Sequence, residues 1–233
     1  QINNLPVSNW KIKKLEEVKQ LIEACSGLFM EVTAQNQLNV IGDSAKFTIA
    51  FNNRTGVPVE KIEVILFGSN YLFENMKANE NNVKPVAIKI PGNEQSTQPY
   101  WLERGIQGGT YEVTSPGQIG KAENVGYHAI FNVTVAGKLY QFQKPVLYKY
   151  TDPVKGELYQ PVQMVNPVFI NSSPSILIFR NDVKKQQKTI RYSIRTNTLL
   201  NDKVRFVCRY NGREVLAFDS VVNYKKGSST DVD

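Results

Sequence analysis

The chain has 233 residues, enough for two small domains or for one large all-β domain. Its 41% hydrophobic and 21% charged residues are typical of a folded protein and exclude a chain that is disordered throughout. No apolar run approaches the length of about 18 residues that a membrane span needs, and the opening QINNLPVSNW lacks the basic start and apolar core of a signal peptide. We therefore expect neither a membrane-spanning segment nor a signal peptide in this sequence.

The positive charge is concentrated in the C-terminal third. The formal net charge is +7, yet residues 1–179 hold sixteen Lys/Arg against fifteen Asp/Glu. Residues 180–226 hold twelve Lys/Arg against four Asp/Glu. Any electrostatic attraction to an acidic partner is therefore expected from this last part of the chain.

One segment, at the N-terminus, has a helical pattern. In SNWKIKKLEEVKQLIEACSG, apolar side chains recur at three- and four-residue spacing, at Leu15, Val18, Leu21, Ile22 and Cys25. Ser8 or Asn9 can cap the start, and Gly27 can supply a left-handed stop. We expect residues 1–27 to form a helix whose apolar stripe packs on the domain that follows.

Beyond Gly27 the hydrophobic period changes to two, which is typical of strands. LFMEVTA places four apolar side chains on one side, namely Leu28, Met30, Val32 and Ala34. VEKIEVILFG has candidate core positions at Val59, Ile62, Val64 and Leu66. AKFTIAFNN and NNVKPVAIKIPG are further strand-like segments, and VGYHAIFNVTVAG with KLYQFQKPVLYKY forms a hairpin that turns at Ala136-Gly137. Strands without interleaved helices predict an antiparallel β-sandwich over residues 28–160.

Residues 91–123 break the strand pattern and read as a long loop that contains the apolar cluster Tyr100-Trp101-Leu102. Trp101 either plugs an open end of the core or, with Tyr100 and Tyr111, forms an exposed platform on which a sugar ring stacks. We favour the plug, because Leu102 beside it also needs burial.

A second, smaller unit is expected over residues 161–233. PVFINSSPSILIFR, QKTIRYSIRTN, DKVRFVCRYNG and REVLAFDSVVNYK are four strand-like segments, whereas the tail GSSTDVD should fray. The sequence thus predicts an all-β chain of two immunoglobulin-like antiparallel sandwich domains preceded by one α-helix.

The acids Asp152 and Glu157 lie five residues apart in YKYTDPVKGELYQP. A glycosidase would need two such carboxylates projecting into a cleft, one of them with a raised pKa. Asp-Pro followed by Gly156 is, however, the chemistry of a turn, since the Asp side chain can accept from nearby backbone amides. We favour a structural corner that joins the two sandwiches.

The chain offers few other groups for catalysis or metal binding. The single histidine, His128, lies in a strand pattern where a packed or edge imidazole is expected. Cys25 and Cys208 fall in different predicted units and are expected to be buried thiols. We predict no catalytic residue, no cofactor and no metal site.

The run YKYTDPVKGELYQPVQMVNPV, together with ACSGLFMEVTAQNQLNVIGDSAKFTIAFNNRTGVPV and QPYWL, resembles the C-terminal region of large bacterial LmbE-like (PIG-L family) deacetylases. The resemblance covers roughly residues 10–175. It implies an accessory module of a secreted or periplasmic protein that acts on N-acetylated sugars. Its partners would then be the catalytic domain of the same parent chain and a polysaccharide.

The family's deacetylase activity resides in an α/β domain that binds zinc through a His-Pro-Asp-Asp motif. That motif is absent here, since His128 precedes Ala-Ile, and no catalytic residue can be carried over. We therefore expect this chain to be non-enzymatic, serving in scaffolding, domain docking or carbohydrate contact. The alternative is a free-standing carbohydrate-binding or adhesion module.

Four arginines alternate with apolar residues in two strand-like segments: Arg191, Arg195, Arg205 and Arg209. If these strands pair, the arginines line one sheet face that could attract acidic polysaccharide, lipid headgroups or nucleic acid. A solvated face is the alternative that we favour. The aromatics fall on the opposite side, so we expect no nucleic-acid partner.

Overall fold

The computed structural model describes residues 2–74, 76–113, 116–120, 126–210 and 212–232. It is mostly β, with one α-helix, α1 (Asn9–Ser26), near the N-terminus. The chain divides into two compact units, Gln1–Met164 and Val165–Asp233. No helix within the described ranges is long and apolar enough to cross a membrane.

Helix α1 begins and ends where its capping residues predict. The Ser8 side chain accepts from the amide of Lys11, and Gly27 adopts a left-handed φ of 62° while its amide donates to the carbonyls of Ala24 and Glu23. The packing differs from the expectation, because no residue of α1 is buried. Leu15 and Ile22 are half-buried, whereas Val18, Leu21 and Cys25 are exposed.

The C-terminal end of the helix forms polar contacts with the rest of the first unit. Glu23 forms an ion pair with Lys144, and the Thr55 hydroxyl donates to the carbonyl of Ser26. The Arg54 amide donates to the carbonyl of Gly27 at 3.1 Å. Cys25, in the last turn of the helix, is an exposed free thiol, whereas the sequence predicted a buried one.

Ten strands lie within the described residues up to Val165, and eight of them form one sheet. The ten strands are β1 (Leu28–Ala34), β2 (Leu38–Val40), β3 (Ser44–Asn53), β4 (Val59–Leu66), β5 (Ser69–Glu74), β6 (Asn81–Lys89), β7 (His128–Val135), β8 (Lys138–Asp152), β9 (Gly156–Pro161) and β10 (Gln163–Val165). Seven of them follow the order β5-β4-β7-β8-β1-β3-β6, and β9 pairs with β8 as the eighth strand of the sheet, while β2 and β10 pair separately with each other.

Strand β8 connects the two halves of this arrangement. Its first half pairs antiparallel with β7, while its second half pairs in parallel with β1 and antiparallel with β9. Because one strand serves both halves, the sheet curves around a single core and is partly barrel-like. Both halves supply fully buried side chains, including Val32 and Ile49 from one and Ile62 and Phe131 from the other.

Alternation correctly predicted the local pattern of this unit. In β1 the residues Leu28, Met30, Val32 and Ala34 are all buried. The β7–β8 hairpin turns at Ala136 and Gly137, whose φ values of 48° and 73° match a type I′ turn. The alternation pattern does not predict strand β5, which pairs with β4 over six residues.

The described part of the second unit contains five strands: β11 (Val168–Ser173), β12 (Arg191–Thr196), β13 (Leu200–Tyr210), β14 (Arg213–Tyr224) and β15 (Ser229–Val232). They form a three-stranded sheet, β11-β12-β15, and a β13-β14 hairpin. The expected fraying of the tail is wrong for Ser229–Val232, which pairs with β12. Thr196 holds the preceding turn, since it accepts from the Gly227 amide and donates through its hydroxyl to the carbonyl of Lys225.

Candidate functional site

The connection between β6 and β7 carries the strongest candidate site. It contains a short 3-10 helix, Tyr100–Leu102, closed by a hydrogen bond from the Leu102 amide to the carbonyl of Pro99. The rings of Tyr100 and Trp101 meet edge to face with centroids 4.9 Å apart. The Gly120 amide donates to the Tyr100 hydroxyl at 3.3 Å, so a later part of the same loop holds this ring.

A polar cavity of about 600 Å³ is formed by residues that flank this aromatic pair in sequence, although neither ring lines it. Its lining consists of residues on both sides of the pair in sequence: Gln95, Ser96, Thr97, Gln98, Glu103, Arg104 and Gly126. Amides, hydroxyls, one carboxylate and one guanidinium thus share a single concave surface. Such a set donates and accepts hydrogen bonds in several directions, as a site for a polyhydroxylated ligand requires.

The cavity is anchored to the first unit through Thr97. The Thr97 amide donates to the carbonyl of Met164 at 2.9 Å, and the Met164 amide donates to the Thr97 hydroxyl at 3.0 Å. A Cβ on Gly126 would lie 2.6 Å from the Thr97 hydroxyl oxygen, so a larger residue there would displace the Thr97 side chain. These contacts fix one wall of the cavity to strands distant in sequence.

Two further contacts order the loop around the cavity. The Tyr127 hydroxyl donates to Glu94 at 2.8 Å, and Arg104 forms an ion pair with Glu112. Burial, followed by the hydrogen bond to Glu94, raises the pKa of Tyr127 well above its usual range. Tyr127 therefore remains a hydrogen-bond donor at neutral pH. Glu103, whose carboxylate lines the cavity, is not part of this ion pair.

The reason for favouring a core plug at Trp101 is wrong. Leu102, expected to need burial, is 52% exposed, and Tyr100 and Trp101 are only half-buried. Tyr111 is 51% exposed farther along the same loop. The sequence singled out the aromatics but not Gln95, Ser96, Gln98, Glu103 and Arg104. Their adjacency to QPYWL was the only signal that could have indicated them.

Asp152 lies in the turn of the β8–β9 hairpin. Its Oδ1 accepts from the amides of Val154 at 2.8 Å and Lys155 at 2.7 Å. These backbone bonds, with that of Lys155 the stronger, lower the pKa of Asp152, opposite to what a general acid needs. The turn lies within the first unit, so the expected corner between two domains is instead a hairpin between paired strands.

Glu157 belongs to a small polar cluster on the strand that follows. Its carboxylate lies 3.0 Å from Lys149, which is also 3.9 Å from Glu31. The Tyr159 hydroxyl donates to Glu31 at 3.0 Å. The hydrogen bond with Glu157 is the main reason that the pKa of Lys149 is raised. Glu157 thus has a charge partner in the sheet.

The remaining sequence candidates are separate in the fold. His128 is largely exposed at the start of β7, and partial loss of water around its ring lowers its pKa. Arg191 and Arg195 lie on β12, and Arg205 and Arg209 on β13, and these two strands do not pair. The condition for four arginines on one sheet face is therefore not met. Among the described residues, no group of three or more His, Cys, Asp or Glu could hold a metal ion.

Comparison of the chain with protein-family models, curated proteins and solved structures finds no match.

Proposed function

We propose that the chain is a non-catalytic accessory module that contacts carbohydrate through this cavity and the Tyr100-Trp101 pair that its lining residues flank in sequence. The observation that carries this proposal is a polar cavity of about 600 Å³ whose lining residues Gln98 and Glu103 flank a partly accessible aromatic pair in sequence. Sugar rings present apolar C–H faces and a rim of hydroxyls. An aromatic face can receive the first, and the side chains of Gln98 and Glu103 can receive the second.

The anchoring of the loop supports recognition by a preformed site. Thr97 is held by two bonds to Met164, and Tyr127 by a bond to Glu94. A ligand that enters such a site pays less for ordering side chains and loops. Rigid support is therefore a feature that favours binding of a weakly interacting, hydrated ligand such as an oligosaccharide.

The parent protein that we propose is a bacterial LmbE-like deacetylase acting in the periplasm or outside the cell. The support is the sequence resemblance over residues 10–175, chiefly the DPV-x-GE-x-Y-x-P run. We further propose that both units are immunoglobulin-like sandwiches, a fold that hosts many unrelated roles. The genomic sequence upstream of residue 1 tests the link. An α/β domain with the His-Pro-Asp-Asp motif supports it, and a different domain there contradicts it.

The binding proposal is tested with a glycan panel that includes N-acetylated oligosaccharides. Trp101→Ala and Glu103→Gln should each lower the affinity for the best-bound glycan at least about tenfold, as measured by calorimetry. Trp10→Ala is the matched control, because Trp10 is also accessible but lies on α1. Unchanged binding by the Trp101 variant, or its loss together with unfolding of the first unit, would contradict the proposal.

A free-standing binding or adhesion module is the second candidate, since it would use the same cavity. The two candidate functions differ in what the gene encodes upstream of residue 1, and they share the same binding site. A signal peptide directly upstream of residue 1 would favour it over the accessory role.

A further inference from the structure

The second unit is much more basic than the first. Val165–Asp233 contains twelve Lys/Arg and six Asp/Glu, a net charge of +6, whereas the 164 residues before it carry +1. An uneven distribution of this kind attracts acidic surfaces and polymers. It does not by itself distinguish a lipid headgroup from a polysaccharide or a nucleic acid.

The segment between β11 and β12 adds a second, apolar property. Residues 174–190 lie in neither a helix nor a strand, and they carry SILIF followed by basic residues. Ile176 is 76% exposed and Ile178 is 79% exposed, while Phe179 and Val183 are also exposed. Four large apolar side chains within eight residues are unusual on a surface that contacts only water.

Hydrogen bonds hold the middle of this segment in a defined turn. The Gln186 side chain accepts from the Arg180 amide at 2.9 Å and donates to the carbonyl of Val183 at 3.1 Å. Arg180 also forms an ion pair with Asp182, with 2.6 Å between the charged atoms. The side chain of Gln186 thus fixes the turn that joins the apolar half of the segment to its basic half.

The basic half follows immediately. Lys184, Lys185 and Lys188 are exposed, and none forms an ion pair with a residue that the structure describes. We call residues 176–188 the apolar-basic loop. Its exposed aliphatic and aromatic side chains are followed, within the same loop, by three ammonium groups on a unit of net charge +6.

We infer that the apolar-basic loop docks the protein peripherally onto a bilayer that contains anionic lipids. The lysines would contact acidic headgroups while Ile176, Ile178 and Phe179 enter the boundary with the acyl chains. A soluble polyanion has no apolar region in which the two isoleucines could be buried. A nucleic acid would favour several stacking aromatics, of which the loop has one. The combination of charge and exposed aliphatic surface therefore fits a lipid interface best.

The test is co-sedimentation of the 233-residue chain with phosphatidylcholine vesicles that contain 30% phosphatidylglycerol or none. We expect binding to the anionic vesicles that weakens with salt. Lys184→Gln/Lys185→Gln should lower the partition coefficient about 30-fold, because each lysine near such a surface contributes about 1 kcal/mol to the binding free energy. Ile176→Ser/Ile178→Ser should lower it at least about tenfold.

Matched controls come from the first unit. Leu139→Ser/Val154→Ser replaces two comparably exposed apolar side chains, and Lys138→Gln/Lys155→Gln removes two exposed lysines. Both control variants should bind as the unchanged chain does. Ile178→Trp gives an independent signal, since its indole should be quenched by brominated lipid only when the loop enters the bilayer.

Three results would overturn the inference. The first is absence of binding to the anionic vesicles. The second is full binding by the folded Ile176→Ser/Ile178→Ser variant, which would assign the attraction to charge alone and favour a soluble polyanion such as an acidic polysaccharide. The third is an Ile178→Trp indole that brominated lipid leaves unquenched. Circular dichroism confirms that each variant is folded.

Discussion

Replacement of Gly27 by alanine should destabilise the first unit through two separate effects. Gly27 ends α1 at φ 62°, a left-handed conformation that costs a residue with a Cβ about 1 kcal/mol. An added Cβ would also lie 2.5 Å from the Thr55 methyl carbon Cγ2 and 3.2 Å from its hydroxyl oxygen. The Thr55 side chain must therefore move.

Movement of Thr55 has a cost of its own. Its hydroxyl donates to the carbonyl of Ser26 at 2.5 Å, and loss of this bond costs about 1 kcal/mol. The expected loss for Gly27→Ala is therefore about 2 kcal/mol. Gly42→Ala is the matched comparison. Gly42 has a φ of 82° with nothing within 4 Å of an added Cβ, so only the conformational cost of about 1 kcal/mol applies.

Urea unfolding followed by tryptophan fluorescence measures these losses. Both tryptophans, Trp10 and Trp101, lie in the first unit, so the signal reports on that unit. Thr55→Ser removes the obstructing methyl group and keeps the hydroxyl. The Gly27→Ala and Thr55→Ser cycle should show a favourable coupling of about 1 kcal/mol. Equal losses at both glycines, with no coupling to Thr55, would refute the close contact.

Three further predictions concern the core and two titrating groups. Phe131→Ala, in the middle of the first core, should cost about 3–5 kcal/mol, whereas Val154→Ala at a 92% exposed position should change the free energy of unfolding by less than about 0.5 kcal/mol. NMR titration should place the pKa of Asp152 below its ordinary value of 3.8, because two turn amides donate to it. Its contribution to stability is present at neutral pH and lost as the pH falls through that lowered pKa, and Asp152→Asn should remove this acid dependence. Tyr127, with its raised pKa, should contribute stability that is lost as the pH rises above about 10, and Tyr127→Phe should abolish that alkaline dependence.

Local features of the fold could be read from the sequence because they depend on neighbouring residues. The alternation in β1 and the Ala136-Gly137 turn were predicted correctly. The double pairing of β8 and the addition of β15 to β12 could not be predicted. These depend on which strands meet, and the segments that meet are far apart in sequence.

For the candidate site, too, the sequence indicates some of the residues and not the contacts that bring them together. Aromatic composition indicated Tyr100 and Trp101, and turn chemistry indicated the structural role of Asp152. The cavity itself depends on Thr97 meeting Met164, 67 residues later in the chain. No spacing rule connects those two residues. The sequence also does not predict that the apolar stripe of α1 is exposed. An apolar pattern indicates which side chains favour burial, and not which of them pack against another element.

Carbohydrate contact at the cavity is tested most directly by NMR of the two tryptophan indoles. Trp10 and Trp101 each give one indole N–H resonance, so the control and the site are observed in the same sample. On titration with an N-acetylglucosamine tetramer, or with the best-bound glycan of the panel, the Trp101 resonance should shift in a saturable manner while Trp10 remains unchanged. A Trp101 resonance that does not move, or a shift confined to Trp10, would contradict carbohydrate binding at this cavity.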